Sequence, residues 1–255
     1  MPSPRTVVEA LVPLSGAASA REVYDAANLV GIADQPMRLT LRRMIAGEEL
    51  VQDGRGRSAL LSLTPAGRER ILFDRRALSL AFAQDAGAAP WDGRWHLFAL
   101  TVPEEQRIVR DTLRRTLTHL GAVTVATSLY VSAHDLGEAF PPATRRFVAT
   151  AASTDLNLRG VTDPRAIAET LWPAEPLVEG YRAVGDALRD DDQSAPVVAR
   201  RLRLADALER AMRDDPLLPP ELRASDWAPA SWRHAWAQRW ESLGDDARVY
   251  PGWHP

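Results

Sequence analysis

Guanidinium groups are concentrated in one short part of the sequence, residues 37–67. Three arginines fall in an apolar run with helical spacing, and two more follow in a glycine-rich turn. They are Arg38, Arg42, Arg43, Arg55 and Arg57. A guanidinium donates hydrogen bonds to phosphate oxygens and to the acceptor atoms of guanine, so this cluster suits a nucleic acid. A solvated surface is the alternative for any single arginine, but five on adjacent elements favour nucleic acid.

The overall composition limits how such a contact can be made. The chain has 255 residues and a formal net charge of −3, from 31 basic and 34 acidic residues. Because the balance is slightly acidic, a nucleic-acid contact has to be a local basic patch. The sequence has no cysteine, which excludes disulfides and thiolate metal ligands.

The sequence shows neither a membrane span nor a secretory signal. The hydrophobic fraction of 45% and charged fraction of 25% are typical of folded globular proteins. The longest stretch without charge, residues 116–134, contains Thr, Ser, His and Gly and indicates strands rather than a membrane span. The first residues lack a charged start followed by an apolar core, so we expect no signal peptide and a cytoplasmic protein.

Three short helices are predicted in the first 47 residues. Residues 6–14 form the first, which Gly16 ends, and a second begins at Ser19. Ser19 and Glu22 have the three-residue spacing of a capping box. We expect Asp34 to cap the third helix, which Gly47 ends.

The third helix has one apolar stripe. The stripe comprises Met37, Leu41, Met44 and Ile45. At about 100° per residue, the opposite face presents Gln35, Leu39, Arg43 and Ala46. Arg42 lies to one side of that face, and Arg38 flanks the stripe.

A β-hairpin is predicted directly after the third helix. Residues 50–52 and 59–63 have strand-like composition, and the turn between them contains Asp53-Gly54. A long helix of about twenty residues then begins at Pro65. Three helices followed by a hairpin is the order of a winged helix-turn-helix, in which the third helix enters the major groove and the hairpin approaches the backbone or minor groove.

The middle of the chain alternates strands and helices. Strands are predicted over residues 95–102, 122–126, 128–132 and 156–161, and helices over 104–120 and 142–151. This β-α-β-β-α-β order is that of a ferredoxin-like fold.

The last third of the sequence is mainly helical. Helices are predicted over residues 177–188, 195–212 and 229–243, while residues 215–227 are too rich in proline for a continuous helix. The prediction is therefore an α+β protein with a winged-helix domain (1–88), a ferredoxin-like domain (89–173) and a helical domain (174–255).

Three stretches of the sequence carry a family resemblance. Two are the motifs WDGRW at residues 91–95 and DPLLPPEL at 215–222, the latter followed by Trp227. In the third, residues 37–67, the matching positions are Arg38, Leu41, Arg43, Gly56, Arg57, Leu63, Thr64 and Gly67. In this order they resemble the PaaX-type transcriptional repressors, which regulate phenylacetic acid catabolism. The sequence departs from that pattern at Thr40 and Arg42, where the family has small residues, and at Leu61, where its wing often has Tyr.

The resemblance implies a repressor with a winged helix, a ferredoxin-like central domain similar to small CRISPR nucleases, and a helical C-terminal domain. It also implies a homodimer on palindromic double-stranded DNA, released by an aryl-acyl-CoA effector. We expect DNA contacts from Gln35, Arg38, Arg42, Arg43, Arg55 and Arg57.

The predicted effector site lies among C-terminal tryptophans. Its candidate residues are Trp227, Trp232, Trp236 and Trp240, of which the last three share a helical face. Core packing is the alternative interpretation of this stripe. Arg200, Arg201 and Arg203 could meet CoA phosphates, with a solvated helix face as the alternative.

Two other classes of function compete with DNA binding. One is a small-molecule or acyl-CoA binding protein that does not bind DNA. The other is a metal-dependent nuclease, but the first central strand ends without a carboxylate until Glu104. The five histidines lack metal-ligand spacing, and His134-Asp135 suits a turn better than a ligand pair. We therefore expect no enzyme, no cofactor and no metal.

Overall fold

The structure is a computed structural model that describes residues 1–224, 227–244 and 249–250. Helices combine with two antiparallel sheets, which confirms the α+β class. The chain forms two compact units. Unit 1 comprises Met1–Ser79, Gly180–Met212 and Pro229–Pro255, and unit 2 comprises Leu80–Glu179 and Arg213–Ala228. The predicted C-terminal segment contributes to both units, so the division at residues 88 and 173 stays a prediction.

Unit 1 begins with three helices, α1 (Pro4–Leu11), α2 (Ala20–Leu29) and α3 (Asp34–Ala46). The predicted capping box of α2 is present, since Ser19 accepts from the Arg21 N–H and Glu22 accepts from the Ser19 N–H. The predicted cap of α3 is wrong. Asp34 is the first helical residue, and Ala33 precedes it without a side-chain hydrogen bond.

The apolar stripe of α3 faces the interior of unit 1. Met37, Leu41 and Met44 are buried, whereas Ile45 is half-buried. Helix α3 contacts both α1 and α2, which contribute their own buried valines. Burying each of these large side chains contributes roughly 1.5–3 kcal/mol, so the rotation of α3 about its axis is strongly fixed.

A three-stranded sheet follows α3. Strands β2 (Leu50–Asp53) and β3 (Leu60–Leu63) form the predicted hairpin, and β1 (Ala18–Ser19) pairs with the other edge of β3. Strand β1 was not predicted, because a segment of two residues is too short to show the alternation of apolar and polar side chains that marks a strand. The hairpin loop is longer than an Asp-Gly turn because it includes a short 3-10 turn, Gly56–Ser58. Helix α4 (Pro65–Asp85) begins after Thr64, whose hydroxyl accepts from the Gly67 N–H.

Unit 2 contains a four-stranded antiparallel sheet and three helices. In chain order these are β4 (Trp95–Leu100), α5 (Arg107–His119), β5 (Val123–Ala126), β6 (Leu129–Ser132), α6 (Pro142–Arg145), β7 (Val148–Ser153) and α7 (Pro164–Leu171). The spatial order is β5-β6-β4-β7. The sheet therefore places the first and third strands of the segment at its centre.

Two predicted elements near the C-terminal end of the middle segment, one helix and one strand, are wrong. The predicted helix over 142–151 ends at Arg145, and the last strand is Val148–Ser153 instead of 156–161. This strand pairs with β4 along its whole length, and that pairing overrides the helix propensity of its alanines. Helix α7 was missed, although Asp163 caps it by accepting from the Ala166 N–H.

Two apolar clusters form the core of unit 2. One includes Trp95, Ile167 and Trp172, and the other includes Phe98 and Leu117. Alternation along β4 explains this division, because neighbouring side chains of a strand point to opposite faces.

Three further helices complete the described elements: α8 (Ala174–Arg189), α9 (Val197–Met212) and α10 (Ala228–Ser242). As predicted, no continuous helix forms over the described part of residues 215–227, which contains the 3-10 turn Pro220–Leu222. None of the helices in the described ranges is both long and apolar enough to cross a lipid bilayer.

Gly121 is expected to be essential for the packing of unit 2. Its φ is +79°, and a Cβ there would lie 2.7 Å from the Pro216 Cα atom. Gly87 also has a positive φ, of +72°, but a Cβ there would meet nothing within 4 Å. Gly87→Ala should therefore lower the free energy of unfolding by about 1 kcal/mol, through backbone strain alone. Gly121→Ala should cost at least about 2 kcal/mol more, because the clash adds to the strain.

Urea denaturation of both variants beside the parent protein measures this difference. Equal midpoints for the two variants would show that the close approach of Gly121 to Pro216 has no energetic weight.

Candidate nucleic-acid interface

The outer face of α3 carries the predicted DNA-contacting residues. Gln35, Arg38, Arg42 and Arg43 are exposed, as is Leu39 at 46%. Within the described ranges, none of the three guanidinium groups forms an ion pair. Because the apolar stripe is buried on the opposite side, these three positive charges face solvent. The charge of Arg38 also contributes to the lowered pKa of Asp34.

The two hairpin arginines differ from one another. Arg55 is exposed, and its backbone carbonyl accepts from the Ser58 hydroxyl. Arg57 instead donates from Nη1 to Asp25 Oδ1 at 2.7 Å and from Nη2 to both carboxylate oxygens of Asp34 at 3.1 Å. Its guanidinium carbon also lies 5.3 Å from the centre of the Tyr24 ring, a cation–π distance. Two carboxylates and a ring thus occupy the Arg57 head group.

This cluster of Arg57, Asp25, Asp34 and Tyr24, named the Arg57 cluster here, joins three elements. Asp25 and Tyr24 belong to α2, Asp34 begins α3, and Arg57 lies in the hairpin loop. Hydrogen bonds from Arg57 lower the pKa of Asp34. The carboxylates of Asp34 and Asp25 in turn raise the pKa of Arg57. The contact between Arg57 and Asp34 therefore forms at neutral pH and is lost as the pH falls through the lowered Asp34 pKa. No local sequence pattern indicates these contacts, because Arg57 is 32 residues from Asp25.

The tryptophans of the predicted effector site differ in burial and belong to different units. Trp236 and Trp240 stack with ring centroids 4.8 Å apart and are 1% and 2% exposed. Trp236 also donates its indole N–H to the Leu204 carbonyl at 2.8 Å. Trp232 is half-buried in unit 1, whereas Trp227 belongs to unit 2. Burial favours the core-packing interpretation for Trp236 and Trp240.

The predicted phosphate contacts of α9 are also mostly occupied. Arg200 donates to the Asp191 carboxylate at 2.8 and 2.6 Å. Arg201 is 4% exposed and lies over the Trp240 ring at 4.7 Å. Arg203 is half-buried on the same helix. These contacts favour a structural role for Arg200 and Arg201.

The motifs at residues 91–95 and 215–222 meet inside unit 2. The Trp91 N–H donates to the Glu221 carboxylate at 3.0 Å. The Leu217 carbonyl accepts from Gln84 and from His134, each at 2.7 Å. Burial lowers the pKa of His134, so its ring is neutral at neutral pH and donates from Nε2. The two motifs therefore act in folding unit 2.

No group of three or more His, Asp or Glu side chains that could hold a metal ion occurs in the part of the chain that the structure describes. His96 pairs with Asp92 at 3.0 Å, and His134 with a backbone carbonyl. Both side chains are thus engaged within the fold.

Comparison with known proteins gives one family-model match and a similar solved structure. Residues 88–159 match the family model of the PaaX protein central Cas2-like domain. A solved structure, the uncharacterized protein Rv0674 from Mycobacterium tuberculosis, is 23% identical, with a TM-score of 0.56 over 89% of this chain and 88% of that chain. No curated protein matches the sequence. The solved structure shows a shared fold over most of the chain.

The central segment, residues 88–159, is thus similar to the central Cas2-like domain of PaaX proteins. The matched residues include the WDGRW motif at 91–95, so this match supports the family resemblance over the central part of the chain.

The pKa of Asp34 tests the Arg57 cluster. We expect the carboxyl of Asp34 to titrate below the ordinary range of aspartate in the parent protein, because Arg57 donates to it. Arg57→Ala should raise that pKa towards its ordinary value, whereas Arg55→Ala should leave it unchanged. Carbon-detected NMR of the aspartate carboxyl groups measures both. An Asp34 pKa that is insensitive to Arg57→Ala would show that the ion pair does not form in solution.

Proposed function

We propose that this PaaX-type protein is a DNA-binding transcriptional regulator in which α1, α2, α3 and the hairpin act as a winged helix-turn-helix. One observation supports this most directly. Helix α3 buries Met37, Leu41 and Met44 and presents Arg38, Arg42 and Arg43 to solvent without ion-pair partners in the described chain. An α-helix fits the major groove of B-DNA, and unpaired arginines on its outer face can donate to guanine or to phosphate.

The exposed residues of α3 have different expected roles. Arg43 is exposed on the side of α3 away from the buried stripe, so it is the first candidate for a base edge. Arg42 and Arg38 lie to the sides of that direction, where the DNA backbone passes a helix in the groove. Gln35 lies in the first turn, the part of a recognition helix that commonly meets bases. The exposed methyl groups of Leu39 can contact a thymine methyl.

The two hairpin arginines have different proposed roles: Arg55 contacts DNA, and Arg57 positions the hairpin. Arg55 is exposed with no carboxylate partner in the described chain, which suits a phosphate contact. Arg57 is held by Asp25 and Asp34, so we propose that it positions the hairpin against α3. This differs from the expectation that Arg57, like Arg55, contacts DNA.

Repression, dimerisation and effector release belong to the same proposal. A single winged helix buries little DNA, and a homodimer on a palindromic site doubles the contact. An aryl-acyl-CoA effector would release DNA by binding the DNA-free state more tightly. Trp236 and Trp240 are buried, whereas Trp227 and Trp232 are partly exposed, so we propose that each of these two can contact a ligand within its own unit.

Selection of bound fragments from the source genome tests the function. Purified protein should retain specific duplex fragments, and its affinity should fall steeply as salt rises. An acyl-CoA panel, with phenylacetyl-CoA first, should then release the retained fragment. Binding of acyl-CoA without retention of any fragment would favour a ligand-binding protein that does not bind DNA.

Arg43→Ala should weaken binding to the selected fragment by about 1–3 kcal/mol, because it removes donors to a base edge. Arg76→Ala removes the same charge from an exposed position of α4 and should change affinity little. Electrophoretic retardation at fixed salt measures both variants. Equal affinities for the parent protein and Arg43→Ala would remove Arg43 from the interface.

Arg55→Ala should weaken binding to all sequences alike and reduce the slope of log affinity against log salt by about 1. Arg57→Ala should reduce that slope less than Arg55→Ala does, because Asp25 and Asp34 already neutralise the Arg57 charge. Fluorescence anisotropy over a series of salt concentrations gives both slopes. An equal reduction for the two variants would make Arg57 a phosphate contact.

A further inference from the structure

Unit 2 contains a cavity that no residue proposed for DNA binding touches. Its volume is about 430 Å³, and its wall is formed by the C-terminal half of α5 and by residues 213–215. Three arginines line it, Arg114 and Arg115 from α5 and Arg213 from the other wall. The size falls within the roughly 300–1,000 Å³ of small-molecule sites.

Two of these three guanidinium groups are available to a ligand. Arg115 donates to its own helix, to the Asp111 carbonyl at 3.2 Å and to the Thr112 hydroxyl at 3.3 Å. Arg114 and Arg213 form neither an ion pair nor a side-chain hydrogen bond with any described residue. Both are exposed, so their donors point to solvent from the cavity wall.

Two carboxylates line the same cavity and narrow the class of ligand. Asp215 accepts from the Leu217 N–H at 2.8 Å, so one of its oxygens is occupied by its own turn. Asp214 is exposed beside Arg213. Three guanidinium groups outnumber these two carboxylates, which favours an anion. Asp214 beside them could accept a hydrogen bond from a hydroxyl or amino group of the same molecule.

The two walls are held together by direct contacts. The Gly121 backbone, just after α5, approaches Pro216 so closely that a Cβ would not fit. Trp172 donates its indole N–H to the Gly121 carbonyl at 2.7 Å. The close approach of Gly121 to Pro216 joins the backbone of the two walls, so the cavity exists before a ligand arrives, which reduces the cost of binding.

We propose that this cavity binds a phosphate-bearing small molecule through Arg114 and Arg213. Arginine suits this role because its planar fork donates two parallel hydrogen bonds to phosphate oxygens. The inference concerns unit 2 alone, and it holds whether or not α3 binds DNA.

Calorimetric titration of the full chain with inorganic pyrophosphate, at fixed ionic strength, tests the proposal. The parent protein should bind, and Arg114→Ser and Arg213→Ser should each weaken binding about tenfold, as expected for loss of one charge-assisted hydrogen bond. Arg94→Ser is the matched control, because Arg94 is exposed in the same unit and does not line the cavity. That variant should bind pyrophosphate within about twofold of the parent.

Three results would overturn the proposal. The first is no binding of pyrophosphate by the parent protein. The second is equal weakening by Arg94→Ser, which would indicate general attraction to a positive surface. The third is weaker binding of duplex DNA by Arg114→Ser and Arg213→Ser with unchanged pyrophosphate affinity, which would assign both arginines to nucleic acid.

Discussion

The burial of one side of α3 decides which of its residues can reach another molecule. Met37, Leu41 and Met44 occupy the interior of unit 1. Turning them outwards would expose their apolar surface to water at a cost of several kcal/mol. A helix has a fixed angular period, so fixing this face also fixes the outward direction of Arg43. The proposed DNA-binding face is thus a consequence of core packing rather than of any contact that its arginines make.

Charge pairing explains how a chain of net charge −3 presents a positive face. Elsewhere in unit 1, carboxylates hold many of the arginines, such as Glu9 with Arg70 and Asp191 with Arg200. The arginines on the outer face of α3 lack such partners in the described chain. The local field at α3 is therefore positive even though the composition is not, and this is the condition for attracting a phosphate backbone.

The sequence predicted best what depends on neighbouring residues. The Ser19 capping box, the stripe of α3 and the hairpin follow from spacing, so the structure reproduces them. Prediction from the sequence failed where a partner that is distant in the chain determines the local structure. Val148–Ser153 is a strand because β4 offers an edge, and Arg57 pairs with α2 and α3 across the fold. The tryptophan stripe could not be assigned, since its period is the same for a core and for a ligand wall.

Photo-cross-linking from α3 tests the central claim most directly. A p-benzoylphenylalanine placed at Leu39 would lie on the exposed face of α3, and one placed at Leu72 would lie on an exposed position of α4 in the same unit. After irradiation with bound genomic DNA fragments, the Leu39 position should give a covalent protein–DNA adduct and the Leu72 position should give none. An adduct from Leu72 with none from Leu39 would contradict the placement of α3 against DNA.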